Sequence, residues 1–78
     1  FWGRGLMTEA MREIIRFGFG GIRLNRIEAR VYLMNFASQK VLKKVGMEFE
    51  GVARQEMLIK KKYKDLQHYA ILKHEYYQ

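Results

Sequence analysis

The chain has 78 residues, no cysteine, and a net charge of +7 from 15 Lys and Arg against 8 Asp and Glu. This length excludes more than one domain, and the lack of cysteine means that no oxidising compartment is required. No apolar run approaches the ~20 residues of a membrane span and no signal-peptide pattern is present, so we expect a cytoplasmic protein without a membrane partner. The positive charge favours anionic partners such as nucleic acid or a phosphorylated cofactor.

Hydrophobic residues make up 49% of the sequence, which is more than a core of this size encloses. The sequence starts at Phe1 with a glycine loop and no strand before it. We therefore interpret residues 1–78 as the C-terminal part of one larger domain, with the N-terminal half absent. We expect this fragment to be inactive alone and to form homo-oligomers that cover its open sheet and apolar surface.

The first predicted element is an amphipathic helix from Leu6 to about Phe19. Thr8 or Gly5 is a candidate cap, and Gly20-Gly21 is expected to end the helix with one glycine in the left-handed conformation. The apolar residues recur at helical spacing, at Met7, Ala10, Met11, Ile14, Ile15 and Gly18.

The start of this helix is a candidate anion site. Gly3 and Gly5 flank Arg4 directly before the helical pattern. Free backbone N–H groups and the positive end of the helix dipole at such a place bind phosphate. The motif is weak alone, because glycine also starts helices for steric reasons.

Alternating apolar and polar residues predict a strand over Ile27–Tyr32, with every second residue from Ile27 on the buried face. Helical spacing returns over Asn35–Val45. Asn35 is the candidate N-cap of this second helix, and Gly46 is placed as its C′ glycine.

Two long strands, Phe49–Ile59 and Leu66–Tyr76, are predicted to form a hairpin around a charged turn at Lys60–Asp65. Gly51 is expected to form a bulge near the start of the first of them. The order helix, strand, helix, strand, strand predicts the α/β class with a mixed sheet.

Four blocks follow one another along the chain: WGRGLMTEA, NRIEARV, NxxSxxVLKKVGMEFEG and the D-x-x-x-Y of Asp65 and Tyr69. Together they resemble the C-terminal half of a GNAT-superfamily acetyltransferase, in particular the branch that acetylates ribosomal-protein alanine and serine N-termini. The resemblance covers essentially the whole chain and implies the C-terminal part of a single acyl-CoA N-acyltransferase domain. It also implies acetyl transfer from acetyl-CoA to an amine such as a ribosomal-protein N-terminus, with direct attack and no enzyme nucleophile.

The first block is similar to the family's pyrophosphate loop, Q/R-x-x-G-x-G/A, with Gly5 as its central glycine. Trp2 replaces the polar first residue and Met7 the small last one, so close approach of the cofactor requires the Met7 side chain to turn into the core. Arg4 can add a charge-assisted contact to a phosphate. The resemblance implies that the acetyl-CoA pyrophosphate is held by main-chain amides of Gly3, Arg4, Gly5, Leu6 and Met7.

Asn35 and Ser38 resemble the family's N-x-x-S, which lies along the pantetheine arm. The resemblance implies that Asn35 bonds a cofactor amide and that Ser38 contacts the cofactor and donates a proton to the departing thiolate. The alternative is that both residues only cap the helix. Many relatives use a tyrosine as the acid, but Val41 occupies the nearby position here.

A general base is needed to remove the proton of the acceptor ammonium. The candidates lie on or beside predicted strands, and no pattern separates any of them from a structural residue: Glu28, Glu48, Glu50 and Glu56. Asp65 and Tyr69 are expected to stabilise the hairpin turn and the core. His68 and His74 lack partners at metal-ligand spacing, so no metal is expected.

A small basic RNA-binding or ribosome-binding module is the alternative function. It depends on the charge and on the run Lys60–Lys64, which includes Tyr63. The competing interpretation of this run is a solvated hairpin tip whose charges discourage aggregation. We expect no direct contact with nucleic acid.

Overall fold

The computed structural model describes residues 4–78, with side chains from residue 5 onward. The predicted order of helix, strand, helix, strand and strand is confirmed, and one short helix follows it. The elements are α1 (Arg4–Arg16) with a π-helical continuation (Phe17–Gly21), β1 (Arg26–Tyr32), α2 (Phe36–Lys44), β2 (Glu48–Ile59), β3 (Lys62–Leu72) and α3 (Lys73–Tyr76). Within this range no helix combines the length and the apolar character needed to cross a membrane.

The three strands form one antiparallel sheet in the order β1-β3-β2. Ile27 lies opposite Ile71 and Ala29 opposite Tyr69, which fixes the register of β1 against the central strand. The predicted inward face of β1 is confirmed, because Val31 is buried and its neighbours two and four residues earlier pack against the core. The core cluster consists of Ile15, Phe19, Val31, Leu42, Met47, Tyr69 and Ile71.

The buried face of α1 agrees only in part with the predicted one: Ile15 and Gly18 are buried and Met11 packs against the core, as predicted. Thr8 and Ile15 are buried, whereas Met7 and Ile14 are 43% and 55% exposed. At the end of the helix, Gly18 packs against β1 so closely that a Cβ atom would lie 2.7 Å from Ile27 Cδ1. The side of α1 that faces away from the core carries an exposed apolar ridge, which we call the α1 ridge: Leu6, Ala10, Ile14 and Phe17.

The predicted caps of α1 are wrong, whereas the predicted stop at Gly20-Gly21 is confirmed by a π-helical turn that ends at Gly21. Gly5 and Thr8 lie inside the helix, so neither caps it. The π turn is closed by a bond from the Ile22 N–H to the Phe17 carbonyl at 3.0 Å, and the left-handed residue is Arg23 (φ 57°), not Gly20 or Gly21. A Cβ atom at Gly21 would lie 2.7 Å from the Phe17 ring, so a larger residue there would require this exposed side chain to move.

The predicted ends of α2 are confirmed. Asn35 is the N-cap, and its side chain accepts a hydrogen bond from the backbone N–H of Ser38. Gly46 has φ +98°, and its N–H donates to the Lys43 carbonyl. A left-handed glycine that satisfies a terminal carbonyl is the expected C′ geometry.

The hairpin turn is shorter than predicted. It consists of Lys60 and Lys61, both with positive φ (51° and 64°), and β3 already begins at Lys62. The predicted strand Leu66–Tyr76 also ends early, because its last four residues form α3. The Glu75 side chain accepts a hydrogen bond from the Leu72 N–H at 2.9 Å and so caps this helical turn.

Two bulges bend β2 against β3. The predicted bulge at Gly51 is confirmed by a register shift there and by φ +143°. The sequence did not indicate the second one, between Ala53 and Met57, where Gln55 has φ 52° and its N–H donates to Asp65 Oδ1 at 2.7 Å. The expected roles of Asp65 in the hairpin and of buried Tyr69 in the core are confirmed.

Candidate functional site

A cleft of about 370 Å³ lies between α1, β1 and α2, and we call it the central cleft. Three of the residues predicted to bind the cofactor, Met7, Asn35 and Ser38, line it together. They lie far apart in the sequence and meet because α1 and α2 pack on the same side of β1. The other lining residues are mostly apolar: Met11, Ala29, Arg30, Val31, Tyr32, Val41, Leu42, Met57 and Leu66.

Asn35 is held at the mouth of this cleft by the start of α2. Its Oδ1 accepts from the Ser38 N–H at 3.2 Å. The Gln39 side-chain amide donates to the Tyr32 and Leu33 carbonyls at 3.1 and 2.8 Å and so fastens α2 to the end of β1. The capping bond uses the Asn35 oxygen and leaves the amide NH2 donors for another partner.

Ser38 is partly buried in the first turn of α2. Its hydroxyl group can both donate and accept a hydrogen bond. Val41, one turn further along, is buried in the same cleft at 3% exposure. The structure therefore presents Ser38 on the cleft wall, together with the aliphatic side chain of Val41.

The predicted pyrophosphate segment falls on the start of α1. Gly5, Leu6 and Met7 lie in its first helical turn, while Trp2 and Gly3 lie outside the described residues and only the backbone of Arg4 is described. A Cβ at Gly5 would meet no atom within 4 Å, so the space beside it is open. The Met7 side chain does not turn into the core, since it is 43% exposed and lines the central cleft.

A second and more open cleft of about 810 Å³ adjoins the first, and we call it the hairpin cleft. Tyr32 and Asn35 line both clefts. The sequence did not indicate that the β1–α2 connection and the hairpin tip would line one cleft, because the two segments are far apart along the chain. The remaining lining residues are Leu33, Met34, Ile59, Lys60, Tyr63, Lys64 and Asp65.

The comparison with protein families settles the identity of this fold. The sequence profile of the acetyltransferase (GNAT) domain matches residues 1–48. The chain belongs to the GNAT acetyltransferase family. Its relatives are N-acetyltransferases.

Two GNAT relatives illustrate the similarity. The probable N-acetyltransferase YjcK of Bacillus subtilis is 43% identical over 70 residues, which are 90% of this chain and 39% of that protein. The L-amino acid N-acetyltransferase AaaT of Escherichia coli is 36% identical over 70 residues, 90% of this chain and 43% of that protein. The chain thus spans about two fifths of the length of these GNAT proteins.

A solved GNAT structure shows the same architecture. The ribosomal-protein-S5-alanine acetyltransferase from Vibrio fischeri superimposes with a TM-score of 0.88 at 29% sequence identity. The match covers 94% of this chain and 40% of that one. The α/β fold predicted from the sequence is therefore confirmed by a GNAT enzyme of known structure.

Two of the glutamates considered as a general base for the GNAT reaction are paired with one arginine. Arg26 donates to Glu50 through Nη1 and Nη2 at 3.1 and 2.5 Å, and to Glu28 through Nε at 3.2 Å. The hydrogen bonds from Arg26 hold the pKa of Glu50 below its ordinary value. A carboxylate stabilised in this way is a weaker base.

The contacts and positions of the other two glutamates do not support a role as general base either. Glu56 contacts Arg30 Nε at 3.2 Å and His68 Nε2 at 2.5 Å. Glu48 is exposed at the start of β2. None of the four is among the described residues that line the central or the hairpin cleft. The geometry therefore favours structural roles for them.

Proposed function

We propose that this chain supplies the acetyl-CoA-binding part of a single-domain N-acetyltransferase that transfers acetyl from acetyl-CoA to an amine. The proposal depends on one observation: Met7, Asn35 and Ser38 line the same cleft beside the start of α1. These positions come from two separate blocks of the sequence resemblance. Membership of the GNAT family supports the reaction type.

The pyrophosphate is assigned to the first turn of α1. Backbone N–H groups at a helix start lack intrahelical acceptors, and the dipole favours a negative charge there. The open space beside Gly5 supports close approach of a phosphate to the main chain. The assigned residues are Gly3, Arg4, Gly5, Leu6 and Met7.

The pantetheine arm is assigned to the central cleft. Its apolar walls suit a methylene chain, and the free amide donors of Asn35 suit a carbonyl oxygen of the arm. Met7 would contact the cofactor with its thioether side chain, not only with its backbone. Capping of α2 and binding of the cofactor then use different atoms of Asn35.

The proposed reaction is direct attack of a neutral amine on the thioester carbonyl carbon. The C–N bond forms, the C–S bond breaks, and its electron pair goes to sulfur. The Ser38 hydroxyl donates a proton to the leaving thiolate, and the proton that the amine releases returns through water to the Ser38 oxygen. Positioning of the two reactants supplies most of the rate enhancement, because no covalent enzyme intermediate is needed.

The acceptor is an amine, and the relatives are named for different acceptors. One relative is named for L-amino acids and another for a ribosomal-protein alanine. A protein N-terminus and a free amino acid both present a primary α-amine. We retain a ribosomal-protein N-terminus as the candidate acceptor, because the sequence resembles the branch that acetylates such N-termini.

Titration of acetyl-CoA into the ¹⁵N-labelled chain tests the proposal. We expect shift changes at Gly5–Met7, Asn35 and Ser38. Gly5→Phe places a bulky side chain where an added Cβ meets no atom within 4 Å, so it should abolish binding while the thermal unfolding temperature stays the same. A folded Gly5→Phe variant that binds acetyl-CoA as wild type does, or wild-type protein that binds none, would reject the assigned site.

One observation favours the alternative, an RNA-binding module. Lys60, Lys61, Lys62 and Lys64 are all exposed, and within residues 5–78 none of them forms an ion pair. Unpaired lysines at a protruding tip suit phosphate contacts. Salt-dependent RNA binding that Gly5→Phe leaves unchanged would support this function over acetyl transfer.

A further inference from the structure

We propose that oxidation of Met7 and Met57 to methionine sulfoxide weakens the binding of acetyl-CoA in the central cleft. This inference rests on the proposed function, since it concerns the regulation of the same site. The two residues come from different elements, Met7 from α1 and Met57 from β2, and both line the cleft. A chemical change at either sulfur therefore alters the wall along which the pantetheine arm is assigned to lie.

Most of the sulfur atoms of this chain lie around the central cleft. The sequence contains five methionines and no cysteine, so its side-chain sulfur is all in thioethers. Three of these methionines line the central cleft: Met7, Met11 and Met57. Of the other two, Met34 lines the hairpin cleft and Met47 belongs to the core cluster. An oxidant that attacks sulfur therefore acts largely on the wall of the proposed cofactor site.

The exposed fractions of the five methionines separate accessible sulfurs from protected ones. Met7 and Met57 are 43% and 41% exposed, so a dissolved oxidant can reach both. Met47 is 3% exposed and Met11 packs against the core, so both should react more slowly. Met34 is 77% exposed and should react first, but it lines the hairpin cleft. Its oxidation is therefore an internal control for exposure alone.

Oxidation changes the polarity of the cleft wall. Hydrogen peroxide transfers one oxygen atom to the thioether sulfur, so the sulfur is oxidised to a sulfoxide and the peroxide is reduced to water. The sulfoxide is polar, whereas most of the residues that line the central cleft are apolar. A methylene chain that covers the sulfoxide oxygen removes water from it and supplies no hydrogen-bond donor, which opposes binding. Enzymatic reduction of the sulfoxide should restore the original affinity.

The first experiment measures whether the cofactor protects the cleft methionines. The wild-type chain is treated with hydrogen peroxide with and without acetyl-CoA, and peptide mass spectrometry follows the sulfoxide at each methionine. Acetyl-CoA at about ten times its Kd leaves about a tenth of the sites free, so oxidation of Met7 and Met57 should slow by up to about tenfold. Oxidation of Met34 should change by about twofold or less. Unchanged rates at Met7 and Met57, or equal protection of Met34, would overturn the inference.

The second experiment measures affinity before and after oxidation. Peroxide is removed once Met7 and Met57 carry the sulfoxide while Met47 is still intact, and thermal unfolding checks that the chain remains folded. We expect calorimetric titration of acetyl-CoA to show a loss of about threefold to tenfold in affinity. Reduction by methionine sulfoxide reductases should reverse the loss.

Two variants assign the loss to the cleft residues. Met7→Leu/Met57→Leu keeps side chains of similar volume and removes both accessible sulfurs from the cleft wall, so the same treatment should change its affinity by about twofold or less. Met34→Leu is the matched control and should lose as much affinity as wild type. Each variant is compared with its own untreated form, so the effect of the substitution itself does not enter. Equal losses in wild type and in Met7→Leu/Met57→Leu would overturn the inference.

Separate readouts distinguish this inference from the proposed function. If the untreated chain binds no acetyl-CoA, the proposed function fails and this inference fails with it. If the untreated chain binds acetyl-CoA and the chain oxidised at Met7 and Met57 binds it equally well, only this inference fails. Mass spectrometry of the titrated sample shows which methionines carry the sulfoxide, so incomplete oxidation is not mistaken for the second result.

Discussion

The side-chain oxygen of Asn35 accepts a hydrogen bond from the backbone N–H of Ser38 at 3.2 Å, and the same two residues line the central cleft. One contact therefore begins α2 and also fixes the spacing of two candidate functional groups. Capping and ligand binding are not alternatives here. The Asn35 oxygen serves the helix, and its amide nitrogen remains available to a ligand.

Because the oxygen and the nitrogen of the Asn35 amide have different proposed roles, two substitutions of this residue should affect stability and acetyl-CoA affinity differently. Asn35→Ala removes the cap and should lower the free energy of unfolding by about 1 kcal/mol as well as weaken acetyl-CoA binding. Asn35→Ser keeps a capping oxygen but lacks the amide donors, so it should retain stability and lose about threefold to tenfold in affinity. Urea denaturation and calorimetric titration measure the two effects. Equal affinity of Asn35→Ser and wild type would contradict a cofactor contact.

The proposed acid role of Ser38 predicts a change in rate without a change in binding. Ser38→Ala should lower the rate of acetyl transfer by about tenfold or more, because the thiolate leaves without a proton donor. Alanine is a better helix former than serine, so stability should not fall. Steady-state kinetics with the active enzyme that contains this chain, together with acetyl-CoA titration, provide the check. A loss of affinity with an unchanged rate would indicate that Ser38 only positions the cofactor.

The sequence predicted those parts of the fold that depend on local signals. Alternation identified β1, and the Asn35 cap and Gly46 identified both ends of α2, because each signal acts within one or two turns. It placed Met11, Ile15 and Gly18 on the inner face of α1 correctly, but Met7 and Ile14 are exposed. Which apolar side chains a helix buries depends on contacts with residues distant in the sequence, such as that of Gly18 with Ile27, and a helical pattern alone does not contain these contacts.

The candidate site was also predicted only in part from the sequence. Asn35 and Ser38 were found from the N-x-x-S resemblance, and the structure brings them together with Met7. The hairpin cleft was missed, because it requires the two-residue turn at Lys60-Lys61 and the bulge that Gln55 and Asp65 hold. The lysines themselves were visible in the sequence, but their approach to the β1–α2 connection was not.

The left-handed conformation of Gly46 predicts a stability difference between two glycines. Gly46→Ala forces an L side chain to φ +98° and should lower the free energy of unfolding by about 1–2 kcal/mol. Gly20→Ala is the control, since Gly20 is not among the positive-φ glycines and its added Cβ would lie 3.6 Å from the Tyr77 hydroxyl, an ordinary contact. Denaturant unfolding of both variants measures the difference. Equal losses would show that the backbone conformation at Gly46 is not the cause.

The pair Arg26–Glu50 predicts a pH-dependent contribution to stability. Arg26 lowers the pKa of Glu50 in the folded chain from its ordinary value of 4.5, so folding favours the ionised carboxylate. The contribution is complete above about pH 4.5 and is lost as the pH falls through the lowered folded value. The melting temperature of Arg26→Gln should therefore lie below that of wild type at pH 7, with a smaller gap at about pH 3. Arg54→Gln, which removes an exposed arginine of β2, should show no such dependence; a constant gap for Arg26→Gln would contradict the ion-pair explanation.

The exposed α1 ridge predicts self-association of the chain. Leu6, Ile14 and Phe17 are 58%, 55% and 60% exposed along one side of the helix, and contiguous apolar surface of this kind favours contact with another surface. Light scattering at tens of micromolar should give a mass above the 9.4 kDa of one chain. Leu6→Gln/Ile14→Gln should shift the mass towards the monomer, whereas Arg12→Gln on the same helix should not. A wild-type chain that remains monomeric, or a double variant that associates as strongly as wild type, would show that the α1 ridge does not drive association.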